Sequence, residues 1–369
     1  MTVGADEERR TSPVELLWDL VFAFAVTQVT TLLRSNLTWG GFGEAMVALA
    51  LIYWAWSAFV WAVNAEDASS RTVRTALLIG MGFIFVTGLA LPRAFRVDHA
   101  LLFVTTYAVV RFLHLALYAD ASRSGNASWS SIVGFAITVT IGMALLFVGA
   151  FLHDGARAGL WAAALAIDFA GPAWLTRERL RGLQEVAVAH FSERYGQFVL
   201  ICLGESIIAI GTGARPLTVA RVTAVVICLL ITIAMWWAYF DELAETAEQR
   251  LREHDDPVLA AADAYSYIHV LLVAGIIVFA VGARQLVHAS SGPLDAAGRL
   301  ALCGGIALYL VGLVAFRLRL RADPEPLKLV AAIALLLVGW LGSGLHGLVV
   351  GAIVIGALAA LTAIELARR

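Results

Sequence analysis

The sequence predicts an all-α, polytopic membrane protein with about twelve transmembrane helices in two parallel six-helix repeats. Three observations lead to this fold class. The chain is 60% hydrophobic and 15% charged, whereas an ordinary soluble domain is about a quarter charged. Apolar runs of about 20 residues, the length that crosses a hydrocarbon core of ~30 Å, recur along the whole chain. Motifs of the first half return in the same order in the second half.

We expect one helix at each apolar run, because a helix satisfies its own backbone hydrogen bonds in lipid. The last run is interrupted by "GWLGSG" (339–344), so two spans, one kinked segment or a re-entrant pair would each fit it. In chain order, the expected helices lie near 15–34, 42–64, 74–92, 98–119, 130–152, 157–175, 191–213, 218–242, 263–287, 297–317, 327–342 and 343–366.

The distribution of cations predicts the orientation. Segment 1–13 is polar and has no apolar run followed by a cleavage site, so we expect no cleaved signal peptide. The net charge of −2 says little about partners. With an even number of spans, the loops on the side of the termini carry about twice as many arginines and lysines as the opposite loops. The positive-inside rule therefore predicts that both termini are cytoplasmic.

The two halves of the chain carry corresponding motifs. The first helix begins "ELLWDLVFAFAV" and the seventh contains "ERYGQFVLICLG", which pairs Glu15 with Glu193 and Asp19 with Gln197. Trp-rich ends of the second and eighth helices, and an arginine in the fourth and tenth, follow in the same order. Because six is an even number, both halves would have one orientation and an axis along the bilayer normal. The predicted halves are residues 1–185 and 186–369.

Two of these motifs also carry a family resemblance. "VELLWDLVFAFAVTQ" (14–28) and "HFSERYGQFVLICLGESIIAIG" (190–211), with "WWAYFD" (236–241), closely resemble the bacterial low temperature requirement A (LtrA) family. The resemblance implies a multi-pass protein of the bacterial inner membrane and supplies no substrate. The predicted architecture is also loosely similar to that of potassium and proton channels of endosomes and lysosomes. This likeness favours ion conduction as a function.

Charged side chains inside the predicted helices are the candidate binding residues. A charge in the bilayer costs from ~3 to above 10 kcal/mol unless it faces water or the protein interior. Glu15 and Asp19 are four residues apart and therefore share a helix face. Glu193 and Gln197 repeat this spacing on the seventh helix. These four residues are candidates for binding an ion or a substrate.

Glu205 is the candidate expected nearest to mid-membrane. It lies about 18 Å further along the seventh helix than Glu193. We expect Gly204 and Gly211 beside it to leave space for water or another helix, and a polar cavity to reach its carboxylate.

Two residues on other helices complete the candidate set. Arg111 on the fourth helix and Asp168 on the sixth are both expected deep in the membrane. Arg111 could pair with Asp19 or with Asp168, and the sequence leaves both pairings open. We expect Arg194 to snorkel to the surface or to pair locally. The tryptophans Trp54, Trp56, Trp61, Trp236 and Trp237 are expected to form an interfacial belt.

Signals of an enzyme are missing from the sequence. We find no H-E-x-x-H, no nucleophile elbow and no Gly-rich phosphate loop. Cys202, Cys228 and Cys303 lie in predicted helices without the spacing of a metal or redox site. We therefore expect no enzymatic activity, no cofactor and no metal. The basic segment 176–190 is expected to lie along anionic lipid, and nothing favours nucleic acid as a partner.

The buried acids favour a transporter or channel for protons, cations or a small solute, with a path between the two six-helix halves. In this interpretation, Asp19 and Glu205 are the binding carboxylates and Arg111 is the cation that tunes them. The alternative is a membrane sensor or cold-adaptation factor that transports nothing and whose polar network only fixes helix packing. The sequence predicts membrane lipid as a partner and leaves a homo-oligomer open.

Overall fold

The computed structural model describes residues 11–65, 70–96, 99–123, 129–172, 186–241 and 243–368. Helices fill nearly all of these segments, and an isolated antiparallel bridge joins Pro293 to His346. Most of the predicted basic linker, residues 176–185, lies outside the described residues.

Helices are found at all the positions where the sequence predicts them. The α-helices in chain order are α1 (Pro13–Ser35), α2 (Trp39–Ala65), α3 (Arg71–Ala90), α4 (Ala100–Arg123), α5 (Trp129–Ala150), α6 (Asp154–Ala170), α7 (Val188–Gly213), α8 (Val219–Phe240), α9 (Leu243–Arg252), α10 (Pro257–Ala261), α11 (His269–His288), α12 (Ala296–Arg319), α13 (Pro326–Leu341) and α14 (Gly347–Arg368). A 3-10 turn (Leu91–Arg93) follows α3, and a π-helix (Ala262–Ile268) connects α10 to α11.

The lengths of these helices fit a multi-pass membrane protein. Within the described residues, 10 helical stretches are long and apolar enough to cross a membrane. Helices α6 and α13 have 17 and 16 residues. At 1.5 Å per residue they reach about 25 Å, which is short of a ~30 Å core. The all-helical membrane fold is therefore confirmed, whereas the count of twelve spans stays a prediction.

Short polar residues and proline set several helix ends. The side chains of Ser70, Thr218 and Asp295 each accept a hydrogen bond from a backbone N–H in the first turn of the following helix. Pro326 begins α13, where its missing N–H costs nothing. Gly344 has φ +84° in the short connection between α13 and α14. The interrupted run at the end of the chain thus forms two helices.

The chain forms two compact units, and each includes segments from both predicted halves. The first unit comprises Met1–Leu32, Gly40–Gln197 and Leu251–Ser266, and the second comprises Leu33–Trp39, Phe198–Arg250 and Tyr267–Arg369.

In the first unit, α3 packs on α4, α4 on α5 and α5 on α6. A buried arginine, Arg157 near the start of α6, fixes one end of these helices. Its guanidinium donates to the carbonyl oxygens of Ala94, Arg96, Gly149, Ala150 and Leu152. These carbonyls lie at helix ends, where no residue of the same helix can satisfy them.

In the second unit, α11 and α12 make the closest backbone approach. A methyl group added at Gly275 on α11 would lie 2.6 Å from the backbone nitrogen of Tyr309 on α12. Glycines that let two backbones touch are typical of helix pairs in membranes. Helix α13 packs on α12, and α14 packs on α8.

Candidate functional site

Helix α1 carries two buried acids on its inward face. Glu15 and Asp19 are each 1% exposed, and Phe22 and Val26 continue the buried stripe at the same helical spacing. Leu16, Leu17 and Leu20 point outward, as expected for a face in contact with lipid. The two acids therefore share one helix face, as their spacing predicts, and that face is buried.

Two residues of α7 hold these acids. Arg194 Nη2 donates to Asp19 Oδ1 at 2.7 Å, and Arg194 Nη1 lies 3.2 Å from Glu15 Oε1. His190 Nε2 lies 2.9 Å from the same Glu15 oxygen. Arg194 and His190 are each 2% exposed. We call Glu15, Asp19, His190 and Arg194 the charged cluster.

The expectation that Arg194 snorkels is wrong. Its guanidinium faces the protein interior, because two carboxylates on a neighbouring helix offer it charge-assisted contacts that compensate for lost hydration. The repeat pattern made Glu193 and Gln197, the counterparts of Glu15 and Asp19, the binding candidates on this helix. Glu193 is instead exposed and accepts a hydrogen bond from Gln197 Nε2 at 3.0 Å.

Polar groups around the charged cluster bind the remaining acid oxygens. Ser12 donates to Glu15 Oε2 from both its backbone nitrogen and its hydroxyl, at 2.8 and 2.7 Å. The indole of Trp56 donates to Asp19 Oδ1 at 2.8 Å. Trp56 is 0% exposed, so its assignment to an interfacial belt is wrong, because its N–H binds a buried carboxylate. Trp54 is also buried, whereas Trp236 and Trp237 are exposed at 40% and 37%.

Glu15 and Asp19 share the one permanent cation of the charged cluster, the guanidinium of Arg194. Two carboxylates therefore face a single fixed positive charge.

The charged cluster keeps unused hydrogen-bonding capacity. Asp19 Oδ2, His190 Nδ1 and Arg194 Nε are buried, and none has a hydrogen-bond partner among the described residues. Arg194 Nη1 contacts Glu15 as an ion pair without hydrogen-bond geometry. Most buried polar groups are satisfied, and each exception requires an explanation, such as water, an ion or a functional role.

A second ion pair lies in the same unit. Arg111 on α4 lies 2.9 and 2.8 Å from the two carboxylate oxygens of Asp168 on α6. Both residues are nearly fully buried. Of the two pairings that the sequence left open, Arg111 makes the one with Asp168, and Asp19 is bound by Arg194.

Glu205 belongs to the second unit and is buried at 6% exposure. Nothing lies within 4 Å of a methyl group added at Gly204 or Gly211, so the open space that the sequence predicts at these glycines is present. Its use by water or by another helix beside Glu205 stays a prediction. The polar cavity at Glu205 stays a prediction.

Three hydroxyl groups that the sequence did not indicate lie beside the charged cluster. Ser57 Oγ is 2.6 Å from Tyr195 Oη, and Tyr195 Oη is 3.0 Å from Ser266 Oγ. Trp61 Nε1 donates to Ser266 Oγ at 2.7 Å. We call Ser57, Tyr195 and Ser266 the hydroxyl chain. The sequence signal nearest to it is the Trp-x-x-x-x-Trp spacing of Trp56 and Trp61, between which Ser57 lies. That spacing does not by itself predict a chain of hydroxyls.

Comparison with known proteins gives a family and no activity. The model of a family described as bacterial low temperature requirement A protein (LtrA) matches residues 10–363. An uncharacterized protein of Rhizobium meliloti (strain 1021) is 30% identical over 319 residues, which cover 84% of this chain and 77% of that protein. No solved structure matches the chain significantly.

Proposed function

This chain belongs to the bacterial low temperature requirement A family, and we propose from its buried charges that it is a transporter or channel for protons, cations or a small solute. The observation that carries the proposal is the set of unpartnered buried atoms in the charged cluster, Asp19 Oδ2, His190 Nδ1 and Arg194 Nε. A network that served packing alone would leave such atoms unsatisfied at a cost of about 1–3 kcal/mol each. A site that binds a proton, an ion or a polar solute uses them.

Each member of the charged cluster then has a chemical role. Asp19 Oδ2 is the acceptor for a proton or a cation, because Oδ1 is already occupied by Arg194 and Trp56. Arg194 is the fixed positive charge that compensates Asp19 and Glu15. His190 contacts Glu15 Oε1 and holds that carboxylate in place.

The other predicted residues keep secondary roles in this proposal. Arg111 and Asp168 form a second buried ion pair in the same unit. Glu205 is a carboxylate further along α7 in the second unit, and its substitution Glu205→Gln is expected to reduce flux. Glu193 and Gln197 lie near the surface and are candidates for the entry of the path.

We also propose the finer architecture of twelve spans in two parallel halves, with both termini in the cytoplasm of a bacterial cell. Two matched contacts support the repeat. Tyr107 on the fourth helix donates to the carbonyl oxygen of Leu51 on the second, at 3.0 Å. Tyr309 on the predicted tenth helix donates to the carbonyl oxygen of Met235 on the predicted eighth, at 2.8 Å. An enzymatic role has no residues to carry it in this proposal.

The second candidate function is a membrane sensor or cold-adaptation factor that transports nothing. The Arg111–Asp168 pair favours it, because a tight buried ion pair can serve to specify helix packing alone. In that case, substitution of the polar residues would change the stability of the fold, and the protein would carry no ion or solute flux.

Reconstitution of the purified protein in liposomes separates the two functions. Proton, K⁺ and Na⁺ fluxes are measured with ion-sensitive dyes under imposed gradients, together with uptake of labelled small solutes. We expect flux of at least one of these above that of protein-free liposomes. Liposomes that contain folded protein and transport none of them would favour the sensor.

A further inference from the structure

The hydroxyl chain is buried and continuous. Ser57 on α2, Tyr195 on α7 and Ser266 in the π-helix are 1%, 1% and 3% exposed. The two O···O distances of 2.6 and 3.0 Å are those of hydrogen bonds, and either atom of each pair can be the donor. Protons can therefore be arranged along the chain in either direction.

Neither neighbour fixes the direction of the hydroxyl chain. Trp61 can only donate to Ser266 Oγ, so Ser266 can either donate to Tyr195 or accept from it. Ser57 and Tyr195 can exchange the roles of donor and acceptor in the same way.

Several threonine hydroxyls in the helices donate to a carbonyl oxygen four residues earlier in their own helix, as do Thr27, Thr30, Thr31, Thr223 and Thr232. Ser57 and Ser266 instead bond side chains of other elements, as Ser192 does with Tyr265. Their hydroxyls are thus available for exchange between side chains.

The hydroxyl chain meets the charged cluster through an aromatic contact. The ring of Tyr195 packs edge-on against the ring of Trp56, with centroids 4.9 Å apart, and the Trp56 indole binds Asp19. Trp61 and Ser57 lie about one turn apart on α2, a distance of about 6 Å along the helix axis. Ser57 is the one at the end nearer to Trp56, which binds Asp19. Ser266 lies in a π-helix, an irregularity that is often found at functional sites.

We propose that Ser57, Tyr195 and Ser266 are a proton relay that serves the charged cluster, so that the transported or coupled ion is the proton. This inference rests on the proposed function and names its ion. In one transfer along the chain, Ser266 Oγ accepts a proton and gives its own proton to Tyr195 Oη. Tyr195 then gives its proton to Ser57 Oγ, and Ser57 releases its own proton. One proton enters and one leaves, and the three hydroxyls then rotate back with no change in charge or oxidation state.

The test compares two tyrosines in the reconstituted protein. Tyr195→Phe removes the middle hydroxyl of the chain. Tyr53→Phe is the matched control, because the Tyr53 hydroxyl is also buried but donates to a backbone carbonyl, that of Tyr265, and not to a hydroxyl of the chain. Proton flux is read from a pH-sensitive dye inside liposomes, with a K⁺ ionophore to clamp the membrane potential. Ser57→Ala is a second, smaller variant in case Tyr195→Phe does not fold.

We expect Tyr195→Phe and Ser57→Ala to lower proton flux by about 100-fold, the scale of losing a positioned proton-transfer group, and Tyr53→Phe to leave it unchanged. Unchanged proton flux in folded Tyr195→Phe or Ser57→Ala would overturn the relay. A wild-type protein that carries K⁺, Na⁺ or a solute without protons would overturn the relay and leave the proposed function standing. A wild-type protein without any flux would overturn both.

Discussion

Arg194 donates to Asp19 at 2.7 Å and thereby joins α1 and α7 through residues 175 positions apart in the chain. Both side chains are 3% exposed or less. Because Arg194 also contacts Glu15 at 3.2 Å, one guanidinium compensates two carboxylates. The cost of removing three charges from water is offset only if all of them stay together, so this contact links the stability of α1 and α7 with the chemistry of the site.

Replacing Arg194 with Met should destabilise the protein strongly. The substitution leaves Glu15 and Asp19 buried without the guanidinium that compensates them, and breaking a buried pair typically costs about 3–5 kcal/mol. The free energy of unfolding in detergent is the measurement. Arg250→Met on the exposed part of α9 is the control, expected within about 0.5 kcal/mol of wild type. Equal stability of the two variants would show that the cluster is not held by Arg194.

The pair Arg111–Asp168 should show strong coupling in a double-mutant cycle. Arg111→Met or Asp168→Leu alone leaves one unpaired charge, at a cost of about 3–5 kcal/mol. The double variant leaves none and should be more stable than the sum of the two single effects predicts, by at least ~1 kcal/mol. Unfolding of all four proteins is compared in one detergent. Additive effects would mean that the 2.8 Å contact contributes nothing to stability.

Gly275→Ala should disrupt the contact between α11 and α12. The added methyl group would meet backbone atoms of Tyr309 and Gly305 at 2.6 and 2.7 Å, so the helices would have to separate. We expect the free energy of unfolding, measured in detergent, to fall by about 1–3 kcal/mol. Gly304→Ala is the matched control on α12, because nothing lies within 4 Å of its added methyl group. It should be stabilising by about 0.5–1 kcal/mol, since alanine favours a helix. A Gly275→Ala protein that is as stable as Gly304→Ala would contradict the close approach of α11 to α12.

The positions of the helices and the burial of the acids could be predicted from the sequence. Apolar runs match the thickness of the bilayer, and the spacing of Glu15 and Asp19 defines one face of α1, which is the buried one. Arg111 and Asp168 were identified because a charge deep in a membrane needs a partner. These inferences depend on local sequence and on the solvent alone.

The partners of the acids could not be predicted, because pairing across helices depends on the rotation of each helix. On α7, residues 193 and 194 point about 100° apart. The repeat pattern selected Glu193, whereas the packing of α7 turns Arg194 inward and Glu193 outward. Trp56 was misassigned for the same reason, since composition places tryptophan at the interface and only the fold brings its N–H to Asp19.

The most direct test of the central claim is the flux of Asp19→Asn in liposomes. Asn keeps the volume of the side chain and can still contact Arg194, but it has no negative charge and no acidic proton. Asp255→Asn makes the same chemical change at an exposed position and is the control. We predict that flux of the transported ion is lost in Asp19→Asn and is unchanged in Asp255→Asn, with both proteins folded. Wild-type flux through folded Asp19→Asn would contradict the claim that the charged cluster is the transport site.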